Sequence, residues 1–467
     1  MEPQPQSDRE TYRLILFSQD RNDVLLATEE AGFLLPCVEI PRWQRVPEHL
    51  TAATRSKYGC VAISLFALEI RPLGDNSNGP CYQAMECVCN GEEHASDAVW
   101  KSVTSLAQAS FQEGADYQAL QRCTEESSSY EADPAARFAR KGWFTELRSW
   151  VTKSIEPLGL QLKRPFRQLN AGPSFSLIRF ETNGPAIWFK AVGEPNLREF
   201  PTTLTLARLF PAYVPELLSQ EPHWNGWLSL EANGAKLSET VDGGHWEQAA
   251  TTLAKLQVDS FGQLDPLFDS GLHDLRNETL TSQVDPFIDV MTQFMLAQTK
   301  IPPPALSPRE LDHLRIRVKD SLALLADLKI PDALGHLDLN PANIIVSSNR
   351  CVFLDWAEAY VGPPFLSLQY LLEHFRRAVR GNDAAESRLS SGYRTPWLEF
   401  APTEIIDEAL DLAPLVAVYA YAIRNPAWRD LRMLRDTRVP GYFRSLTRRM
   451  HSEGQKLMHW RTPCHLG

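Results

Sequence analysis

Between Gly335 and Asp355 five polar side chains are set among apolar runs: His336, Asp338, Asn340 and Asn343 in "GHLDLNPANII", then Asp355 at the end of "CVFLD". The stretch "NIIVSSNRCVFLD" has two short apolar runs around a polar "SSN", the pattern of a β-hairpin. A hairpin there returns Asp355 to the side of Asn343. Two hard oxygen donors then converge where a magnesium ion and substrate phosphates could share them, with Asp338 nearby to accept a proton. The same residue types also cap turns, and a lone histidine more often packs than reacts. The choice depends on what surrounds them.

The surrounding chain is an ordinary globular one. It has 467 residues, 43% hydrophobic and 22% charged, enough for two or three domains. No run approaches the roughly 20 apolar residues of a membrane helix. "MEPQPQSDRETYR" lacks the basic-then-apolar order of a secretion signal, so a cytoplasmic protein is expected. The eight cysteines form no C-x-x-C pair and are expected to be reduced thiols; Cys87 and Cys89 are spaced to share one strand face as neighbouring core thiols. A net charge of −11 argues against nucleic-acid binding, which rests on a basic face. Oligomeric state is not legible.

Pattern divides the chain into residues 1–111, a polar linker over 112–140 containing "EESSSYEADPAAR", and residues 141–467. The first part alternates short strands, "RLILFS", "DVLLAT", "GFLLPCVEI" and "VAISLFALEI", with one helix entered after Pro47 and stopped by Gly59. The third part opens with the amphipathic helix "GWFTELRSWVTKSI", continues through strands "FRQLNAGPSFSLIRFET", "PAIWFKAVGE" and "NGWLSLEANG", and then turns helical. Trp246, Ala249, Ala250, Leu253 and Leu256 recur at helical spacing, as do Leu311, Leu314, Val318, Leu322 and Leu325. Strands first and helices later give an α+β fold with two lobes, about 165–235 and about 236–467.

"HLDLNPAN" followed by "FLDW" resembles the paired motifs of the aminoglycoside phosphotransferase and choline kinase family, small-molecule relatives of the protein kinases. The resemblance covers roughly residues 165–375. It implies a two-lobed protein-kinase-like phosphotransferase domain using ATP and Mg2+, with Asp338 as catalytic base, Asn343 and Asp355 as metal ligands, and His336 as a structural brace. It further implies that Lys190 contacts nucleotide phosphates, that Glu199 orients Lys190, that Gly172 and Ser174 of "LNAGPSFS" lie at the phosphates with help from Ser176, and that Glu231 and Ala232 bind the base through backbone groups. Leu337 stands where the family usually has glycine, Asn340 where many relatives have histidine, and Ser367 where an aspartate caps a helix. The first part resembles a smaller α/β Nudix domain, but the positions of its metal-binding acids fall on Gln44, Ala53, Ser56 and Lys57, so it should not hydrolyse a diphosphate. The expectation is phosphoryl transfer to a hydroxyl of a small molecule, the acceptor sitting near "YLLEHFRRAVRG" and "YAYAIRNPAW". The alternative is a nucleotide-binding regulatory pseudokinase that docks a partner through its N-terminal domain.

Overall fold

The computed structural model describes residues 9–42, 45–68, 81–90, 97–133, 138–430 and 438–460. Gln44, Cys464 and the N-terminal residues up to Asp8 lie outside them. The chain forms two compact units, one of residues 1–200 and 216–231, the other of 201–215 and 232–467. Strands dominate the first and helices the second, the expected α+β arrangement.

The first unit begins with β1 (Arg9–Phe17), β2 (Asp23–Glu29), β3 (Gly32–Leu34), β4 (Cys37–Pro41), α1 (Val46–Tyr58), β5 (Cys60–Leu68), β6 (Cys81–Asn90) and β7 (Ala98–Ser102). These strands form one mixed sheet ordered β3-β2-β1-β6-β5, with β4 on β1 and β7 on β2. Gly59 ends α1 as expected, its positive φ of 67° letting its N–H reach Arg55 O. Ala53, Ser56 and Lys57 lie along α1, and Lys57 donates to Cys37 O at 2.9 Å.

Two expectations fail in this unit. The stretch read as a linker contains α2 (Gly114–Ala132), whose Ala119, Leu120 and Cys123 are buried while Asp116 accepts hydrogen bonds from Leu35 N–H and the Tyr82 hydroxyl. A narrow stripe of small apolar residues is enough to seat a helix whose other faces are polar. The boundary between compact units therefore falls near residue 200 rather than within 112–140. Cys87 and Cys89 also fail to share a face, because Val61 pairs with Cys89 and Ala62 with Cys87, so Val88 is an extra residue in β6. The bulge leaves Cys87 buried and Cys89 exposed.

The unit continues with α3 (Trp143–Ile155), β8 (Leu162–Asn170), β9 (Phe175–Thr182), β10 (Ile187–Val192), the start of α4 (Glu199–Leu209), β11 (Leu217–Glu221) and β12 (Gly226–Leu230). Strands β8 to β12 make an antiparallel sheet ordered β11-β12-β10-β9-β8. Phe144 packs on Phe166 and Phe180 with centroids at 4.6 and 6.2 Å, and Trp143 meets Phe189 at 6.2 Å. The same apolar cluster includes Ile15, Phe17, Ile63 and Phe66 of the first sheet. One core thus serves both sheets. At its edge the Gln168 side-chain amide donates to Ser64 O and accepts from Ser64 N–H, each at 2.8 Å, taking the place of a strand neighbour.

The second unit carries β13 (Ala235–Lys236), α5 (Gly243–Asp259), α6 (Leu264–Asp269), β14 (His273–Asp274), α7 (Asn277–Leu296), α8 (Pro308–Asp327), β15 (Ala333–His336), β16 (Ile344–Val346), β17 (Cys351–Phe353), β18 (Ala359–Gly362), α9 (Phe365–Ala378), α10 (Asp383–Arg394), α11 (Thr403–Arg424) and α12 (Arg438–Trp460). Its strands form two small sheets, β13-β16-β17 and β14-β18-β15, embedded among helices. Helix α8 opens with a reciprocal capping box between Ser307 and Glu310.

Glu86 on β6 is buried, and its carboxylate accepts the Gly142 N–H at 2.5 Å beside the start of α3. Burial raises its pKa despite that bond and the Arg21 guanidinium 3.6 Å away. A carboxyl with a raised folded pKa contributes stability below its unfolded value, about 4.3, and loses it as pH rises through the folded value. Glu86→Gln keeps the acceptor and removes the ionisation, so its melting temperature should exceed the parent's at pH 7.5, with the gain shrinking as pH falls toward 4.5. A difference independent of pH in thermal melts would refute this account.

Candidate functional site

In the second unit, β15 delivers the loop that carries Asp338, and the β16–β17 hairpin returns the chain to it. Ile344 pairs with Phe353 and Val346 with Cys351, as the two apolar runs predict. One step beyond the ladder, Leu354 N–H donates to Asn343 O at 2.8 Å, which leaves Asp355 at the next position. Arg350 at the hairpin tip fastens it by donating to the carbonyls of Pro211, Ala212 and Val214.

His336 links the two sides. Its Nδ1 accepts the Asp338 N–H at 3.0 Å and its Nε2 lies 3.1 Å from Leu354 O. An acceptor at Nδ1 and a carbonyl at Nε2 are both satisfied by the neutral Nε2–H tautomer. Full burial favours that neutral form and lowers the imidazole pKa, against the opposing pull of Leu354 O and the Asp338 and Asp355 charges. The ring also packs on Trp356, centroids 4.8 Å apart. His336 N–H in turn donates to Ser367 Oγ at 2.9 Å, and Tyr360 OH lies 3.1 Å from the same hydroxyl. Ser367 therefore sits inside the first turn of α9 and does not cap it; Pro364 occupies the cap position, and the hydroxyl is used for His336. Gly335 is required beneath this network, since a Cβ there would come within 2.0 Å of the Tyr360 ring.

Two leucines pin the loop on either side of Asp338. Leu337 and Leu339 are fully buried in different apolar clusters, leaving Asp338 half-buried between them. Asn340, which the sequence left without a role, caps the short 3-10 turn Pro341–Asn343 by accepting the Ala342 N–H at 3.0 Å. Asn343 Nδ2 donates to Asp338 O at 3.3 Å, and an amide fixed in this way turns its oxygen aside from that carbonyl. Asp355 is exposed and holds a left-handed backbone with φ 63° and ψ 67°, a conformation that costs a non-glycine residue about 1 kcal/mol or more. Among the described residues no group of three or more His, Cys, Asp or Glu side chains could hold a metal. One amide oxygen and one carboxylate suit magnesium, which commonly takes few protein ligands and fills its shell with water and phosphate.

In the first unit, Lys190 on β10 donates to Glu199 Oε1 at 2.5 Å, and both side chains are largely buried. Its ammonium lies 5.8 Å from the ring centroids of Phe175 and Trp227. Glu199 is the first residue of α4, so position at a helix start is compatible with the pair. Gly172 has φ 133° and open space at its Cβ position, and with Ser174 it lines a cavity of about 600 Å3. Arg122 and Glu126 of α2, paired at 3.5 Å, line it too, a contribution hidden from the sequence by reading α2 as linker. Ser176 is buried with its hydroxyl on Asn170 O, so it braces the loop and offers nothing to a phosphate. The Glu231 N–H is already donated to Ala186 O at 2.9 Å, and its carboxylate is bound by Arg179 and Trp188, so that amide is not available to a nucleotide base. Ala232 begins the last segment of the second unit.

Residues 198–400 match the model of the phosphotransferase enzyme family, a span that takes in Glu199, Asp338, Asn343 and Asp355 and begins after Lys190. No curated protein matches the chain in sequence. Among solved structures, the chain is similar to a macrolide 2'-phosphotransferase from Brachybacterium faecium (16% identity over 60% of this chain and 94% of that one, TM-score 0.41) and to a choline kinase from Streptococcus pneumoniae (13%, 67% and 99%, TM-score 0.43). A choline/ethanolamine kinase family protein from Mesorhizobium loti shares 17% identity over 68% of this chain and 95% of its own, with a TM-score of 0.45. Scores of this size add nothing to the functional reading. The match to the phosphotransferase enzyme family is thus confined to residues 198–400, the span that holds both "HLDLNPAN" and "FLDW".

Proposed function

We propose that the protein transfers the γ-phosphoryl group of ATP, with magnesium, to a hydroxyl of a small molecule. The observation that carries this reading is the His336 bridge, which ties the backbone of Asp338 to that of Leu354, next to Asp355. Phosphoryl transfer depends on positioned charge more than on covalent chemistry, so a base and metal ligands held in fixed register are what a catalyst of this kind needs. Asp338 is the group that receives the acceptor's proton. The fixed Asn343 amide and the Asp355 carboxylate would hold magnesium, which supplies neutralisation of phosphate charge. Lys190, kept oriented by Glu199, offers a further cation for the nucleotide phosphates. His336 keeps its neutral form and does not exchange protons with substrate; its part is to hold the two loops in register.

Asp338→Asn should retain ATP binding and lower kcat by about 10²–10⁴-fold, the usual worth of a general base, in an assay following phosphate gain across a metabolite pool by mass spectrometry. Bound ATP with no transfer to any compound in the parent protein would instead indicate a nucleotide-binding regulator. Lys190→Met should lower kcat/KM for ATP by about tenfold to a hundredfold, the value of a hydrogen bond to a charged group. Because that change takes the Lys190 ion pair from the buried Glu199 carboxylate, Lys190→Met/Glu199→Gln is the control for folding; recovery of full activity in the double variant would remove Lys190 from the phosphate site.

A further inference from the structure

In the second unit the tip of the β16–β17 hairpin, one side of α5 and the segment after α4 line a single cleft of about 790 Å3. Gln248, Thr251 and Lys255 form the α5 wall, Asn349 and Arg350 the hairpin wall, and Tyr213 stands between them. The walls are fastened to one another. Gln248 Nε2 donates to Ser347 O at 2.9 Å, Phe353 N–H donates to Tyr213 O at 2.8 Å, and the Tyr213 hydroxyl donates to Asp259 at the end of α5. Arg350 adds its three bonds to the carbonyls of Pro211, Ala212 and Val214. A cleft framed on every side in this way keeps its shape without a ligand, as small-molecule sites do.

Its charges favour an anion. Lys255 is exposed and makes no ion pair among the described residues. Arg350 has no carboxylate partner among them either: its Nε and Nη2 serve neutral carbonyls, which leaves the charge uncompensated and both Nη1 N–H groups unused. The carboxylate on the lining, Glu247, is already matched by the Arg388 guanidinium at 3.7 Å. Phosphate accepts from ammonium and guanidinium alike. The rest of the wall is neutral and polar. Asn349 offers both halves of its amide, Gln248 keeps its amide oxygen, and Thr251, whose hydroxyl hydrogen goes to Glu247 O, keeps its lone pairs. Donors and acceptors mixed in this way suit hydroxyl groups, and the volume is more than a bare anion fills. We propose that this cleft is a second binding site, taking a phosphorylated, hydroxyl-rich small molecule of the sugar phosphate class, its phosphate held by Lys255 and Arg350 and its hydroxyls by Gln248, Thr251 and Asn349. The site is separate from that of Asp338, because Asn343 and Asp355 flank the base of the hairpin and Arg350 lies at its turn. Binding here needs neither nucleotide nor transfer, so the inference does not rest on the phosphotransferase reading.

The test uses the full chain with magnesium and saturating AMP-PNP, a non-hydrolysable ATP analogue, so that any nucleotide site is filled. Calorimetric titration with glucose 6-phosphate, ribose 5-phosphate, inorganic phosphate and glucose separates the parts of the ligand: at least one sugar phosphate should bind once per chain, and more tightly than inorganic phosphate or glucose. Lys255→Gln should weaken that binding by about tenfold, the worth of a hydrogen bond to a charged group, and Lys255→Arg should keep most of it. Asn349→Asp, which puts a carboxylate on the hairpin wall, should weaken it as well. Both positions are exposed, and thermal melts check that the variants remain folded. Sugar phosphate binding unchanged in Lys255→Gln and Asn349→Asp, glucose binding as tightly as its phosphate, or no binding of either sugar phosphate overturns the proposal. Inorganic phosphate binding as tightly as both esters overturns the assignment to a sugar phosphate.

Discussion

A single uncharged imidazole sets the geometry on which everything else in the second unit depends. His336 receives a backbone N–H from the loop that carries Asp338 and meets the carbonyl that precedes Asp355. Protonation would turn an acceptor nitrogen into a donor facing a donor. The fully buried setting prevents this by making the charged form costly, so loop register is insulated from modest acidification. The surrounding residues have the same end: Ser367 takes the His336 N–H, Tyr360 takes the serine, and Gly335 leaves room for the tyrosine ring.

The two units solve different problems. In the second, small strands among helices present polar side chains at loop ends, and Leu337 and Leu339 anchor the loop to separate cores. In the first, aromatic packing around α3 stiffens the sheet that carries Lys190, whose ion pair with Glu199 lies against two rings. A lysine in such surroundings needs its carboxylate partner, because a buried ammonium without one is costly.

What could be read in the sequence was local. The hairpin from Asn343 to Asp355 is visible because two apolar triplets flank a polar turn, and the helix over α5 because its apolar residues recur at 3.6-residue spacing. What could not be read depended on contacts distant in sequence. Ser367 has the right type for a cap, yet the donor that claims it, His336 N–H, lies 31 residues away. Asn340 lacked a reading because its turn is only three residues long. Helix α2 was obscured by composition: serines and acids outnumber its three buried apolar residues, and the strands it packs on, β1 and β5, lie far before it in sequence. Ser176 and the Glu231 amide looked available until their partners, Asn170 O and Ala186 O, were placed.

The core shared by the two sheets of the first unit also governs how this sequence can vary. Ile15, Phe17, Ile63 and Phe66 pack into the cluster that contains Phe180, Ile187 and Phe189 on the strands around Lys190. Even if the first 111 residues never meet a ligand, they are not free to drift as an appended module would be. A cavity opened at Phe66 is felt by the sheet that holds the lysine, because packed interiors transmit strain and lose on the order of 3–5 kcal/mol when a large aromatic is truncated. Selection on phosphoryl transfer would then preserve an apolar pattern far from any catalytic atom, and a duplication that separated the two sheets would have to repack both.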